Sequence, residues 1–289
     1  MSILSESELI INEDGSIFHL HLKPEQLSDR IILCGDPERV SMIAEYFDDK
    51  ECDVYNREFH TITGMYQEKR VSVVSTGIGC DNIDIVLNEL DALANIDFST
   101  RTIHPVLKQL TLVRIGTSGG MQPFVPIGSY VAAEKSIGFD GVLYFYKDHE
   151  KIRDLAIEDA LIHQLEWNIA GVRPYVVTAD STLTNQIVKD DIVQGMTIAA
   201  NGFYGPQGRE LRLPLADERL NKKIIDFQYH NRRITNFEME SSALAGLAAL
   251  LGHRALTVCY IIAGRYNKNM NIRYKESLPQ LIKKILDRI

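Results

Sequence analysis

The sequence predicts an α/β sandwich with a largely buried sheet. Three observations carry this. Short apolar, β-branched runs alternate with helical stretches along the chain, and several of those runs stop at glycine-containing turns. A content of 45% hydrophobic residues over 289 positions also suffices for one large core. One domain over residues 1–289 is expected, because no linker, repeat or low-complexity tract interrupts the alternation.

Ile31–Cys34 is an apolar run ending in Gly35-Asp36-Pro37, which reads as a buried strand feeding a helix with Pro37 near its first position. Val71–Thr76 is a β-branched strand followed by Gly77-Ile78-Gly79. From Ile83, the positions Val86, Leu87, Leu90, Leu93 and Ala94 keep the spacing of one helix face. Asn95–Leu110 is polar and irregular and reads as an insertion beyond the helix end. Thr111–Ile115 is a strand ended by the turn Gly116-Thr117-Ser118-Gly119-Gly120, and Ser129–Ala133 begins another. A helix is expected over roughly Lys151–Ile169, strands over Tyr175–Ala179 and Leu256–Ile262, and a helix of small residues over Met239–Leu251. Leu278, Leu281, Ile282, Ile285 and Leu286 mark an amphipathic terminal helix.

Thirty-one basic against 39 acidic residues give a net charge of −8, without a basic run, which argues against a nucleic-acid partner. No apolar run reaches the ~18 residues of a membrane span, so no membrane partner is expected. Residues 1–8 carry neither a basic nor an apolar leader. The four cysteines show no CxxC pair and read as reduced thiols of a cytoplasmic protein.

An acidic chain that binds an anion must do so with a few local arginines. Arg39 lies in the first turn after Gly35, and Arg114 precedes Gly116. In open α/β sheets ligands gather beyond the carboxyl ends of strands, where glycine lets backbone N–H groups approach an anion. The two arginines either hold such an anion or pair with nearby carboxylates. No turn matches a dinucleotide or P-loop fingerprint. Glu238 and Glu240, two residues apart at a strand-to-helix junction, read either as a grip on vicinal hydroxyls or as helix-start charges. His19 and His21 read as a metal pair or as plain strand histidines.

Gly202-Phe203-Tyr204-Gly205-Pro206-Gln207-Gly208-Arg209 suits neither helix nor strand. Gln207 offers a paired donor and acceptor, and Arg209 offers donors only. Together they suit a planar heterocycle edge of C=O, N–H, C=O, as in uracil.

The blocks FHL, GDPERV, REF, STGIG, RIGTSGG, GFYGPQGR, NFEMES and IIAGR run in this order from Phe18 to Arg265. Together they resemble the nucleoside phosphorylase-I family, and GFYGPQGR resembles the loop of its uridine-cleaving members. The resemblance implies a three-layer α/β/α sandwich around a mixed, distorted central sheet. It implies cleavage of uridine by phosphate into uracil and ribose 1-phosphate. The alternatives are a phosphorylase of purine or thymidine preference and a non-catalytic nucleoside-binding protein. Purine-cleaving relatives place an Asp late in the chain, whereas Ile261–Arg265 holds no acid.

By position, the resemblance gives Gly35, Arg39, Arg114 and Thr117 to phosphate, joined by Arg57 from a neighbouring subunit. Thr117, Met239 and Glu240 hold the ribose, with His19 of the neighbour at the 5′ hydroxyl. Gln207 and Arg209 read the base, Phe203 packs on it, and Ser118, Gly119 and Glu238 line its site. Arg114, Arg209 and Glu240 carry the chemistry. Phosphate is a co-substrate, no cofactor is required, and subunits that share sites must self-associate. A potassium ion between subunits would fall to Glu58, Ile78 and Asn82, with Asn82 in place of a hydroxyl residue. The Asn95–Leu110 stretch exceeds the usual bacterial connection and bears on assembly.

Overall fold

The computed structural model describes residues 3–289. β1 (Arg30–Cys34) turns through Gly35 into α1 (Pro37–Ala44). Asp36 caps that helix by accepting from the Glu38 N–H at 3.0 Å, and Pro37 supplies the preset φ of a first helical position. β2 (Asp49–Asn56), β3 (Phe59–Tyr66) and β4 (Lys69–Ser75) form an antiparallel meander leading to α2 (Cys80–Asn95). A hairpin of β5 (Ile96–Asp97) and β6 (Thr102–Ile103) follows, then β7 (Thr111–Gly120), β8 (Tyr130–Gly138), α3 (Leu155–Gln164) and β9 (Tyr175–Thr178). The second half contains α4 (Ser181–Ile187), β10 (Val193–Ala199), α5 (Leu220–Asp226), β11 (Gln228–Tyr229) and β12 (Arg232–Glu238). It ends with α6 (Ser241–Leu251), β13 (Arg254–Gly264), β14 (Asn269–Met270) and α7 (Leu278–Arg288).

The main sheet runs β11-β12-β10-β8-β13-β7-β1-β4-β3-β2. β1 lies parallel between β4 and β7, and its apolar run is buried on both faces. Ile31 and Leu33 point into the core under α2 and α6. Ile32 and Cys34 point into the opposite core with α1, α4 and α7. This period-two alternation makes the sandwich three-layered. β12 also pairs antiparallel with β7, through Asn236↔Gly120 and Phe237↔Gly119. The path β12-β10-β8-β13-β7 therefore closes on itself, and β1-β4-β3-β2 extends from it as an open wing. The sheet is mixed and distorted, as the resemblance implied.

Several sequence expectations need correction. Gly116–Gly120 is not a turn, because β7 continues to Gly120 in register with β13. Those glycines serve close approach: a Cβ on Gly116 would lie 2.4 Å from Arg114 Nη1, and one on Gly120 would lie 2.5 Å from the Val125 carbonyl. The helix expected over Lys151–Ile169 is shorter, since Asp154 accepts from Ile157 N–H and sets its start. The Asn95–Leu110 stretch holds the β5–β6 hairpin and is tied to the N-terminal segment by Leu4 N–H to the Arg101 carbonyl, at 2.9 Å. His19 sits in a turn rather than a strand, and His21 has φ 57°. Among the described residues no group of three His, Cys, Asp or Glu side chains could hold a metal ion. Among them, too, no helix is long and apolar enough to cross a membrane.

Candidate active site

A cavity of about 1310 Å³ opens where the carboxyl ends of β1, β4, β7, β12 and β13 converge. At one end, Gly35 follows β1 and Gly77 follows β4. A Cβ on Gly35 would stand 3.1 Å from the Gly77 carbonyl, so the two turns can touch only without side chains. Arg39 reaches in from the first turn of α1 and is 7% exposed. Its Nη1 donates to the Ile115 carbonyl at 3.1 Å. Among the described residues no carboxylate stands within ion-pair distance of it. A buried cation without a counter-charge facing a cavity is arranged for an anion.

Arg114 is treated differently. Its Nη1 lies 3.1 Å from Glu238 Oε2, its Nη2 bonds Glu240 Oε2, and its buried Nε has no partner. Burial works against its charge, but Glu240 and then Glu238 outweigh this and hold the guanidinium firmly protonated. For Arg114, pairing with carboxylates is therefore real and happens inside the site.

The two carboxylates have separate duties. Glu238 accepts from Glu240 N–H and Ser241 N–H, both at 2.9 Å, and from Ser241 Oγ at 2.6 Å, so it closes the start of α6. Glu240 occupies the cap position, yet its side chain makes no capping bond. It accepts instead from Gly79 N–H at 2.8 Å, across the cavity floor. Burial, and next to it the charge of Glu240, push the Glu238 carboxyl up to about 7, against the pull of Arg114. Two carboxylates that share one guanidinium out of water carry one negative charge in excess, which is why the shift is upward.

At the other end, Gln207 sits in a 3₁₀ turn and is 3% exposed. Arg209 Nη1 donates to Gln207 Oε1 at 2.5 Å and to the Phe203 carbonyl at 2.7 Å, with its guanidinium 3.8 Å over the Phe203 ring. Burial, and then the charge of Arg265, pull Arg209 down to about 10. It keeps its proton at neutral pH. Thr117, Ser118, Gly119 and Met239 line the stretch between the two ends.

Two predicted residues are not in this cavity. His19 and Arg57 lie together outside its lining, where Asn56 Nδ2 donates to the His19 carbonyl at 2.7 Å and Arg57 stands 5.7 Å over the Phe18 ring. Glu89 of α2 holds that turn, accepting from His19 N–H, Leu20 N–H and His19 Nδ1, the last at 2.6 Å. Glu58, Ile78 and Asn82 do meet at the cavity rim. Asn82 Nδ2 points at Glu58 Oε1, 3.4 Å away.

Arg265 and Asn221 are among the lining residues that the sequence reading gave no role. Arg265 closed the IIAGR block without a role, and its Nη2 donates to the Gln207 carbonyl at 2.5 Å. Asn221, in no motif, arrives from α5. Only the fold brings it to the site.

The sequence pattern of the phosphorylase superfamily matches residues 29–286. The chain is 30% identical over 255 residues to a uridine phosphorylase of Thermococcus kodakarensis, covering 88% of this chain and 79% of that one. It is 29% identical over 250 residues to a DeoD-type purine nucleoside phosphorylase of Levilactobacillus brevis, covering 84% and 85%. A solved nucleoside phosphorylase of Trypanosoma brucei, described as showing uridine phosphorylase activity, superposes with a TM-score of 0.89 at 28% identity, over 97% of this chain and 98% of that one. With a match over nearly the whole sheet and all its flanking helices, the chain belongs to the phosphorylase superfamily.

Proposed function

We propose that this protein is a pentosyltransferase that catalyses reversible phosphorolysis of uridine, giving uracil and ribose 1-phosphate. One observation carries the choice of base. Arg209 can only donate, so its bond to Gln207 fixes the amide with Oε1 toward the guanidinium. Read across, the pair then offers donor, acceptor, donor. Uracil O4, N3–H and O2 are acceptor, donor, acceptor, and match at all three positions. Cytosine presents a donor at position 4 and an acceptor at N3, and mismatches twice. A 5-methyl group leaves this edge unchanged, so thymine matches equally.

The chemistry follows from charge. Phosphate attacks C1′ as the glycosidic bond to N1 breaks, and the bonding pair leaves with uracil as an anion delocalised onto O2 and O4. Arg209 and the Gln207 amide donate to those oxygens as charge develops, in a site organised before the reaction. Arg39 and Arg114 orient phosphate, and Arg57 of a neighbouring copy completes the cradle. Glu240 accepts from the ribose 2′ and 3′ hydroxyls, over Met239. No general acid is needed at the base, since an anion leaves. That His19 and Arg57 lie together outside their own chain's cavity supports a site shared between two copies. Four free thiols support a cytoplasmic enzyme.

The test is uracil release from uridine with and without phosphate, with ribose 1-phosphate as the second product. Release should require phosphate, and equal release without it would make the enzyme a hydrolase. Cytidine should react roughly 10⁴-fold more slowly in kcat/KM, the scale at which a hydrogen-bonding site rejects a mismatched partner. A purine preference is the second reading, since a DeoD-type relative is nearly as similar. The missing acid between Ile261 and Arg265 speaks against it, and inosine in the same panel decides.

A further inference from the structure

We infer that Asn221 is a positioning residue for base recognition, holding the Gln207–Gly208 peptide in the place from which Gln207 reads the base. The inference rests on the uridine reading above and deepens it. Asn221 opens α5, away from every motif of the chain. Its Nδ2 donates to the Gln207 carbonyl at 3.2 Å and to the Gly208 carbonyl at 3.1 Å. The Gln207 carbonyl also accepts from Arg265. One peptide is thus gripped from two sides by elements far apart in sequence.

Gly208 shows that the fit is built. It caps the 3₁₀ turn with φ 62°, a left-handed conformation that favours glycine. A Cβ there would also stand 2.4 Å from Asn221 Nδ2, so only glycine admits the clamp. Asn221 Oδ1 is buried without a donor, while its Nδ2 serves two carbonyls of the loop that carries Gln207 and Arg209.

The chemical consequence is register. The loop carrying Gln207 and Arg209 has no strand or long helix of its own. Their donor–acceptor–donor pattern meets a base edge only if the Gln207 backbone stays fixed. Shifts of about 1 Å in a reacting geometry can cost up to about 10²-fold.

Asn221→Asp keeps the shape but replaces the donor by an acceptor facing two carbonyls, and Asn221→Ala removes both. In the full chain, both variants should lower kcat/KM for uridine by roughly 10- to 10²-fold. Both should narrow the preference for uridine over cytidine. The KM for phosphate should stay near wild type, and the loss in uridine kcat/KM should persist at temperatures well below a modestly lowered thermal midpoint. Wild-type uridine kinetics and base preference in both variants would overturn the clamp. So would losses that track a fall in thermal midpoint and an equal rise in phosphate KM, which mark a structural role. If the unmodified enzyme releases no uracil from uridine, the functional reading fails first, and that outcome is distinct from failure of the clamp.

Discussion

At the end of the cavity proposed for phosphate, Arg39, Glu238 and Glu240 stand on a strand end or helix start and Arg114 within β7, each less than a tenth exposed. At the base end, Phe203, Tyr204 and Leu211 ride on irregular chain and are half to three-quarters exposed. The first region is locked by the sheet and by buried charge. The second is held by a few side-chain bonds to one short turn. On the proposed reading, the part of the reaction common to every nucleoside substrate is set in the frame, and the part that distinguishes one base from another is set in a loop. A loop can be rebuilt without disturbing the core, whereas a charge triad cannot.

The widest gap between the two regions should come from Arg114→Ala. It removes the proposed phosphate ligand and leaves Glu238 and Glu240 buried without their cation. Stability should fall by about 3–5 kcal/mol in denaturant unfolding. Phosphorolysis should fall by roughly 10³-fold or more in kcat/KM for phosphate. Arg209→Ala tests the other end, with an expected loss of about 10²- to 10³-fold for uridine at nearly unchanged stability. A large stability loss there would erase the contrast, and near-wild-type turnover would remove Arg209 from the chemistry.

A smaller effect concerns pH. The Glu238 carboxyl is raised in the folded state, so between its ordinary value of 4.5 and about 7 the folded protein binds the extra proton. The stability from this group is complete below about 4.5 and is lost as pH rises through about 7. Glu238→Gln cannot titrate. The wild-type-minus-variant difference in unfolding free energy should therefore fall between pH 5 and pH 8, and a flat difference would refute the stored proton. The smallest effect is expected from Lys275→Ala. Its ammonium bridges the segment after β14 to Glu38, at 2.8 Å, beside the phosphate turn. Exposed pairs of this kind contribute little. Separate Michaelis constants for phosphate and uridine should both stay near wild type, and a joint shift would mean that the two ends are coupled through it.

The run of strand, glycine turn and buried arginine at Cys34–Arg39 was legible in the sequence, because the three follow one another within a few residues. The meeting of Gln207 and Arg209 was legible for another reason: the two lie within three positions of each other. What stayed hidden depends on distance. No local signal tells that Arg114 will meet Glu238 and Glu240, or that Asn221 will reach Gly208. β2 reads as a polar segment because it is an edge strand with four charged residues, Asp49, Lys50, Glu51 and Asp53, which guard an open edge. β10 was missed at Gly195, where a Cβ would stand 2.2 Å from Thr235 Oγ1. That glycine looks like a break and is a packing requirement.

The closure of β12 onto β7 also bears on how the molecule is made. Gly119 and Gly120 must find Phe237 and Asn236 across most of the second half of the chain. Such distant pairing carries a large loop-closure entropy and comes late in folding. The open wing of β1 to β4 pairs over shorter sequence separations, so its closure costs less. A chain emerging from the ribosome can therefore hold Gly35 and Arg39 in place long before Glu238 arrives to meet Arg114. Until the ring shuts, the nascent protein has the makings of an anion site and nowhere to seat a sugar.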